Sequence, residues 1–137
     1  MIRNDSVLPR LKKLDEYLDI LRDLRQYNQE EFIKDPEHYG SAERFLHLTI
    51  EALNDVGNHI VADQNWGDVE WYSDIPKRLY EHDVIDESMK DRWTRMIGFR
   101  NILVHDYLDL DHKKVYVVIQ NNLDEIDDIK RALTSLL

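Results

Sequence analysis

The spacing of apolar residues restricts this chain to helices. In residues 5–30, apolar positions recur every three or four residues, which is the repeat of an α-helix with one buried face. The residues that set this repeat are Val7, Leu11, Leu14, Leu18 and Leu21, widened by Leu8 and Leu24. Only four Gly and three Pro occur among 137 residues, so few positions interrupt such a repeat. The first long element is therefore predicted to be a helix over residues 5–30.

A second helix is predicted from Ser41, as its N-cap, to about Ala62, after a connector over residues 28–40 that Pro36 and Gly40 interrupt. This helix is apolar around much of its circumference, which indicates that it lies at the centre of a bundle or is shared with a partner. Gly57 lies inside it, where glycine costs about 1 kcal/mol relative to alanine. Gly57 is therefore predicted to permit a close helix crossing.

Residues 63–73 are predicted to form a loop with an unusual number of aromatic residues, namely Trp66, Trp71 and Tyr72. Packing of these rings over the end of the bundle is favoured over stacking on a nucleic-acid base or contact with a partner. A short helix is then predicted to begin with Asp74 as its N-cap.

Two more helices complete the pattern. One begins at residues 86–88 and carries a buried stripe that includes Trp93 and Met96. The last is predicted over residues 113–135, with Asp111 as N-cap. Its valine-rich start is also compatible with a strand, but the spacing that follows favours a helix. The sequence thus predicts an all-α, antiparallel up-and-down bundle of four to five helices, forming a single domain over residues 1–137.

The segment Arg100-Asn101-Ile102-Leu103-Val104-His105-Asp106-Tyr107 holds a permanent cation, an amide, an imidazole and a phenol. An arginine can bind a phosphate with two hydrogen bonds, and a histidine can transfer a proton near neutral pH. Such a pair suits the cleavage of a phosphodiester without a metal. The arginine would hold the non-bridging oxygens, and the histidine would handle the proton of the 2′-hydroxyl or of the leaving group.

The spacing of these residues determines which of them can lie on one face of a helix. Arg100 and His105 are five residues apart, which is about 140° around a regular helix. They share a face only if the helix ends or unwinds near Val104. Asn101 and His105 are four apart and do share a face, so Asn101 could orient the imidazole or bind a phosphate oxygen. If this helix lies at a two-fold interface, a homodimer brings two arginines and two histidines into one cleft.

Composition limits the classes of function. The net charge of −10 counts against a general nucleic-acid coating protein, although residues 88–105 hold Lys90, Arg92, Arg95 and Arg100 against only Asp91. An acidic surface also suits docking to a basic protein. The absence of Cys fits a cytoplasmic location, and neither a membrane span nor a signal peptide is expected. The sequence contains no recognisable metal signature, so neither a metal nor another cofactor is predicted.

Arg100, Asn101, His105 and Tyr107 together resemble the R-x4-H-x-Y motif of HEPN proteins, in particular HepT toxins paired with a minimal nucleotidyltransferase antitoxin. The resemblance extends over nearly the whole chain. It implies a helical bundle that dimerises around the motif and acts as a metal-independent RNase toxin on an RNA substrate. Arg100 would stabilise the scissile phosphate, His105 would be the general acid/base and Asn101 would support the site. Tyr107 would be the residue that the nucleotidyltransferase AMPylates, which neutralises the toxin.

Two other hypotheses stay open at this level. The chain could be a non-catalytic helical dimer that serves as a binding module for the nucleotidyltransferase. Alternatively, Arg100 and His105 could be purely structural, as a helix-end salt-bridge and capping set with Asp106 or Asp109 as partners.

Overall fold

The computed structural model describes residues 4–137, apart from the side chains of Asn4 and Tyr107. Seven α-helices lie in this part of the chain: α1 (Asn4–Asp23), α2 (Gln29–Lys34), α3 (Pro36–Gln64), α4 (Asp74–Glu81), α5 (Glu87–His105), α6 (His112–Asn121) and α7 (Leu123–Thr134). Short 3-10 turns follow α1 and α5, at Leu24–Gln26 and Tyr107–Asp109. No strand occurs among residues 4–137, and the predicted all-α bundle is confirmed. The helix count exceeds the prediction because the last predicted helix is divided and the short helix α2 forms within the predicted connector over residues 28–40.

The first predicted helix, over residues 5–30, ends early at Asp23. Tyr27 is extended (φ −86°, ψ 142°), and Asn28 begins α2 with a capping box. In that box the Asn28 side chain accepts from the Glu31 backbone N–H at 2.9 Å, and Glu31 accepts from the Asn28 N–H at 3.1 Å. The Arg25 side chain also donates to the carbonyl of Ile119 at 3.1 Å, which attaches the turn to α6. These bonds stabilise a bend where the apolar repeat alone predicted continuation.

The last predicted helix, over residues 113–135, is divided at Asn122, whose side-chain amide donates to Glu125 at 3.2 Å. Its predicted start is confirmed, because the Asp111 carboxylate accepts from the Lys113 backbone N–H at 2.9 Å. The valine-rich segment lies in α6, so the strand alternative is excluded. The predicted helix start at residues 86–88 is likewise confirmed, because the Asp86 side chain accepts from the Met89 N–H at 2.8 Å.

The central helix α3 begins at Pro36 rather than after Ser41. Asp35 is its N-cap, accepting from the Glu37 N–H at 2.9 Å, and Pro36 occupies the first turn. A proline is compatible with this position because the first helical N–H groups have no partner within the helix. Pro36 therefore begins the helix instead of breaking a connector before it, and Gly40 lies inside the helix. Helix α3 packs against each of the other six helices, which confirms its central position.

Gly57 lies at a close helix crossing in the core. A Cβ added there would lie 2.6 Å from Cγ2 of Ile75 on α4 and 2.8 Å from Cη2 of Trp93 on α5. One turn earlier on α3, the buried side chain of Asn54 accepts a 2.7 Å hydrogen bond from the Trp93 indole N–H. The predicted role of Gly57 is thus confirmed, and α5 is fixed against α3 near its middle.

Candidate functional site

The motif lies in the last two turns of α5. This helix is anchored by Trp93, Met96, Ile97 and Leu103, all of which are buried. Its regular hydrogen bonding reaches the C-terminal end, where the Asp106 backbone N–H donates to the Ile102 carbonyl at 3.0 Å. The helix ends at His105, in agreement with the expected end near Val104, but it does not unwind before that residue. Arg100 and His105 remain about 140° apart around the helix axis within one chain.

Arg100 points from α5 toward the loop that follows α3. Its guanidinium carbon lies 5.3 Å from the ring centroid of Tyr72, which is within range of a cation–π interaction. Its Nη1 donates to Oδ1 of Asn101 at 3.5 Å, which is a long hydrogen bond. Its Nε is buried and has no hydrogen-bond partner among the described groups. The guanidinium is thus held on one side and keeps donor capacity.

The loop that carries Tyr72 is fixed by Asp74. The Asp74 carboxylate accepts backbone hydrogen bonds from Trp71 at 3.0 Å and from Glu70 at 3.1 Å. These bonds lower the pKa of Asp74, because they favour the charged form. Asp74 was predicted to cap α4, but Ser73 occupies the N-cap position and Asp74 is the first helical residue. Its carboxylate stabilises the loop and the position of Tyr72.

The three loop aromatics differ in their surroundings. Trp66 packs against the core and stacks on His82, with ring centroids 4.5 Å apart. Trp71 is 68% exposed, and Tyr72 is exposed except where it meets Arg100. The predicted packing over the end of the bundle is therefore correct for Trp66 and wrong for Trp71.

A second group near Arg100 comes from α3. The Nε2 atom of His47 lies 3.0 Å from Oε2 of Glu51, but the two are not aligned as a hydrogen bond. The Nδ1 atom of His47 is 3.4 Å from Nη1 of Arg44. Burial lowers the pKa of His47, and the positive charges of Arg100 and Arg44 add to this, whereas Glu51 opposes it. The positive charge of Arg100 thus disfavours the protonated form of His47.

Asn101 and His105 face solvent. Both side chains are exposed, and they lie one turn apart on the same face of α5. His105 forms no hydrogen bond, ion pair or ring contact with any group that the structure describes. Neither Arg100 nor His105 forms an ion pair with Asp106 or Asp109, which contradicts the purely structural hypothesis for these residues.

The remaining predicted site residue, Tyr107, begins the 3-10 turn Tyr107–Asp109 directly after α5. Its side chain lies outside the described part of the structure. Within residues 4–137, no cluster of three or more His, Asp or Glu side chains could hold a metal ion. None of the helices found there is long and apolar enough to cross a membrane.

A model of the family described as "Ribonuclease HepT-like" matches residues 14–133. The chain belongs to the ribonuclease HepT-like family. Two similar proteins show how far the sequence similarity extends. This HepT-like chain is 25% identical over 128 residues to the "tRNA nuclease HepT" of Aphanizomenon flos-aquae, covering 93% of this chain and 87% of that protein. It is 33% identical over 82 residues to the "mRNA nuclease HepT" of Shewanella oneidensis, covering 60% of this chain and 62% of that protein.

Solved structures show the same fold. A tri-AMPylated Shewanella oneidensis HEPN toxin in complex with an MNT antitoxin superimposes with a TM-score of 0.89 at 24% identity, covering 97% of this chain and 99% of that one. The cytosolic protein YutE from Bacillus subtilis superimposes with a TM-score of 0.85 at 23% identity, covering 99% and 91%. The helical bundle of this HepT-like chain is therefore the HEPN bundle.

Proposed function

We propose that this chain is an endoribonuclease and the toxin of a HEPN/MNT toxin–antitoxin pair of the type VII kind. The observation that carries the proposal is the arrangement at the end of α5, in a chain of the ribonuclease HepT-like family. Asn101 and His105 are exposed together on one face, and the adjacent half-buried Arg100 is held by Tyr72. These are the groups that phosphodiester cleavage needs, and the amide and imidazole lie at the surface where a polymer can reach them.

In the proposed reaction, the ribose 2′-oxygen attacks the adjacent phosphorus and the bond from phosphorus to the 5′-oxygen breaks. One proton leaves the 2′-hydroxyl and one is delivered to the 5′-oxygen, so the products carry a 2′,3′-cyclic phosphate and a 5′-hydroxyl. His105 is the general acid/base for these transfers. Arg100 binds the non-bridging oxygens as negative charge builds on them, and Asn101 orients the imidazole. No step in this scheme requires a metal ion.

A homodimer with the motif at its interface would complete this site. Within one chain, the angle between Arg100 and His105 around α5 is too wide for both to contact one phosphate from the same face. Two copies related by a two-fold axis would supply one histidine as base and the other as acid. Ile102 is 43% exposed and Leu108 is 84% exposed, both within three residues of His105. Dimerisation there would cover these apolar side chains.

AMPylation of Tyr107 by a minimal nucleotidyltransferase is the proposed means of control. The modification adds bulk and negative charge two residues after His105, which repels an RNA phosphate. The tri-AMPylated state of the Shewanella oneidensis toxin supports this proposal. Incubation with the cognate nucleotidyltransferase and ATP should add one or more AMP units, located by peptide mass spectrometry at Tyr107, and abolish RNA cleavage.

The control for this experiment is Tyr107→Phe, which should stay active after the same incubation. AMP found only at other residues, or full cleavage by the AMPylated protein, would refute this mode of regulation without bearing on the RNase itself.

Tyr72 is expected to act as a positioning residue for Arg100. A cation–π contact is worth about 0.5–2 kcal/mol, so Tyr72→Leu should lower kcat/KM for RNA by about 2- to 30-fold. Tyr72→Phe retains the ring face and should stay close to wild type. The measurement is steady-state cleavage of a fluorescent oligoribonucleotide. Equal losses in both variants, or no loss in Tyr72→Leu, would show that the ring does not position the guanidinium.

A non-catalytic binding module for the nucleotidyltransferase is the second candidate. The buried Nε of Arg100 favours it, because an arginine turned partly into the bundle presents less of its guanidinium to a phosphate. This candidate requires a stable complex with the nucleotidyltransferase and no RNA cleavage at any protein concentration. A folded, unmodified dimer that never cleaves RNA would therefore favour the binding module over the RNase.

A further inference from the structure

A cleft of about 200 Å³ lies on the side of α5 that faces α6 and α7, separate from the side that carries Asn101 and His105. Its walls are mostly carbon and come from four helices. They are formed by Leu46, Ile50, Met96, Phe99, Val118 and Ile126. Arg92, Arg95, Asn122 and Glu125 also line it. The cleft is thus an apolar depression bordered by polar and charged groups.

A second, more open cleft adjoins the first. The two share Phe99 and Val118, and the second adds Lys113, Lys114 and Val117 from the start of α6. Together they form one continuous depression between α5 and α6, which we name the α5–α6 groove. Phe99, which precedes Arg100, lies where the two clefts meet.

The charge of the α5–α6 groove is opposite to that of the chain. Four cationic side chains line it against one carboxylate, Glu125, in a protein with a net charge of −10. Three of the four, Arg95, Lys113 and Lys114, form no ion pair with any carboxylate in the described structure. Arg92 has only a long contact with Glu125, at 3.9 Å. Cations gathered without carboxylate partners provide a site for a polyanion.

We propose that the α5–α6 groove binds a single-stranded segment of RNA, with one base against Phe99 and the flanking phosphates on Arg95, Lys113 and Lys114. The identity of the occupant rests on the proposed RNase function. Aromatic rings on an apolar floor with cations on the rim are the combination that binds unpaired nucleic acid.

A second copy of the chain fits this groove less well than RNA does. In a two-fold interface the same patch meets itself, and these cations would face one another without enough carboxylates to offset them. A single-stranded polyanion meets no such repulsion, and its bases supply the surfaces that cover the apolar floor.

The test uses the full chain carrying His105→Ala, so that RNA stays intact, and a fluorescent single-stranded oligoribonucleotide measured by anisotropy. Phe99→Leu keeps most of the apolar volume but removes the ring, and should weaken binding by about 5- to 150-fold. Phe99→Tyr should restore it. Lys113→Gln with Lys114→Gln should reduce the slope of log affinity against log salt by about 1.4, since each phosphate contact contributes about 0.7.

The matched control is Lys12→Gln with Lys77→Gln, which removes the same charge from exposed positions outside the groove and should leave the slope within about 0.3 of the parent. Circular dichroism melting confirms that each variant is folded. The proposal would be overturned if neither groove variant changed the RNA affinity or the salt slope. It would also be overturned if the variants changed the sedimentation coefficient, and hence the oligomeric state, without changing RNA binding. Cleavage by the chain with intact His105 is measured separately. If the groove variants bind RNA like the parent and the chain with intact His105 still cleaves RNA, only the proposed groove is refuted. If the groove variants bind RNA more weakly but the chain with intact His105 does not cleave RNA, only the proposed RNase activity is refuted.

Discussion

Replacing His105 with alanine is expected to lower the rate of RNA cleavage by about 10²- to 10⁴-fold, which is the usual contribution of a general acid or base. Arg100→Ala should cost about 10²- to 10³-fold, by analogy with the loss of one donor to a developing oxyanion. The double variant should lose less than the product of the two effects, because groups that act in one step are not additive. Single-turnover cleavage of an end-labelled oligoribonucleotide measures all three.

The controls separate catalysis from folding. His105 is exposed and makes no contact with a described side chain, so His105→Ala should change the free energy of unfolding by less than about 0.5 kcal/mol. His59→Ala removes a histidine from α3 that forms no hydrogen bond, ion pair or ring contact with Arg100, Asn101 or His105, and should leave cleavage at the wild-type rate. Cleavage by His105→Ala within about threefold of wild type would contradict the assigned role, because even the weakest general acid–base contribution exceeds that factor.

Replacing Trp93 with alanine should lower the stability of the bundle more than any substitution at the motif. Trp93 is fully buried where α5 crosses α3, and truncating a buried tryptophan costs about 3–5 kcal/mol. The change also leaves Oδ1 of Asn54 buried without its 2.7 Å hydrogen-bond donor. Against a typical stability of about 5–15 kcal/mol, this loss is large. Urea unfolding followed by circular dichroism provides the measurement.

Trp71→Ala is the matched control, since Trp71 is 68% exposed in the loop after α3. It should change the free energy of unfolding by less than about 0.5 kcal/mol. A similar cost for the two substitutions would mean that the crossing of α3 and α5 does not dominate the core.

The positions of the helices were predictable where a local signal decides them. The N-caps at Asp86 and Asp111 each precede an apolar repeat, and both accept the expected backbone hydrogen bonds. The early end of α1 at Asp23 was missed because distant contacts stabilise the bend that follows it. The bend after α1 is held by the bond from Arg25 to Ile119, and by the Gln120 side chain, which donates to the Arg25 carbonyl. The apolar repeat depends only on residues that are close in sequence. It therefore cannot indicate contacts between distant residues.

The motif was found from its spacing, but its surroundings were not. Tyr72 precedes Arg100 by 28 residues, and only the packing of α3, α4 and α5 brings its ring to the guanidinium. The sequence does not indicate that His47 lies near Arg100, since a lone histidine on a helix gives no signal of an arginine nearby. The expected helix end near Val104 is confirmed, since α5 ends at His105, but its last turn stays regular and keeps Arg100 and His105 apart. That regular last turn is what makes a second copy necessary to the proposed site.

The most direct test of the central claim is the end-group chemistry of RNA cut by the purified, unmodified chain in excess EDTA. The account predicts products with a 2′,3′-cyclic phosphate and a 5′-hydroxyl, formed by the wild type and absent with His105→Ala. Products with a 3′-hydroxyl and a 5′-phosphate, or cleavage that EDTA abolishes, would contradict the proposed metal-independent attack by the 2′-hydroxyl.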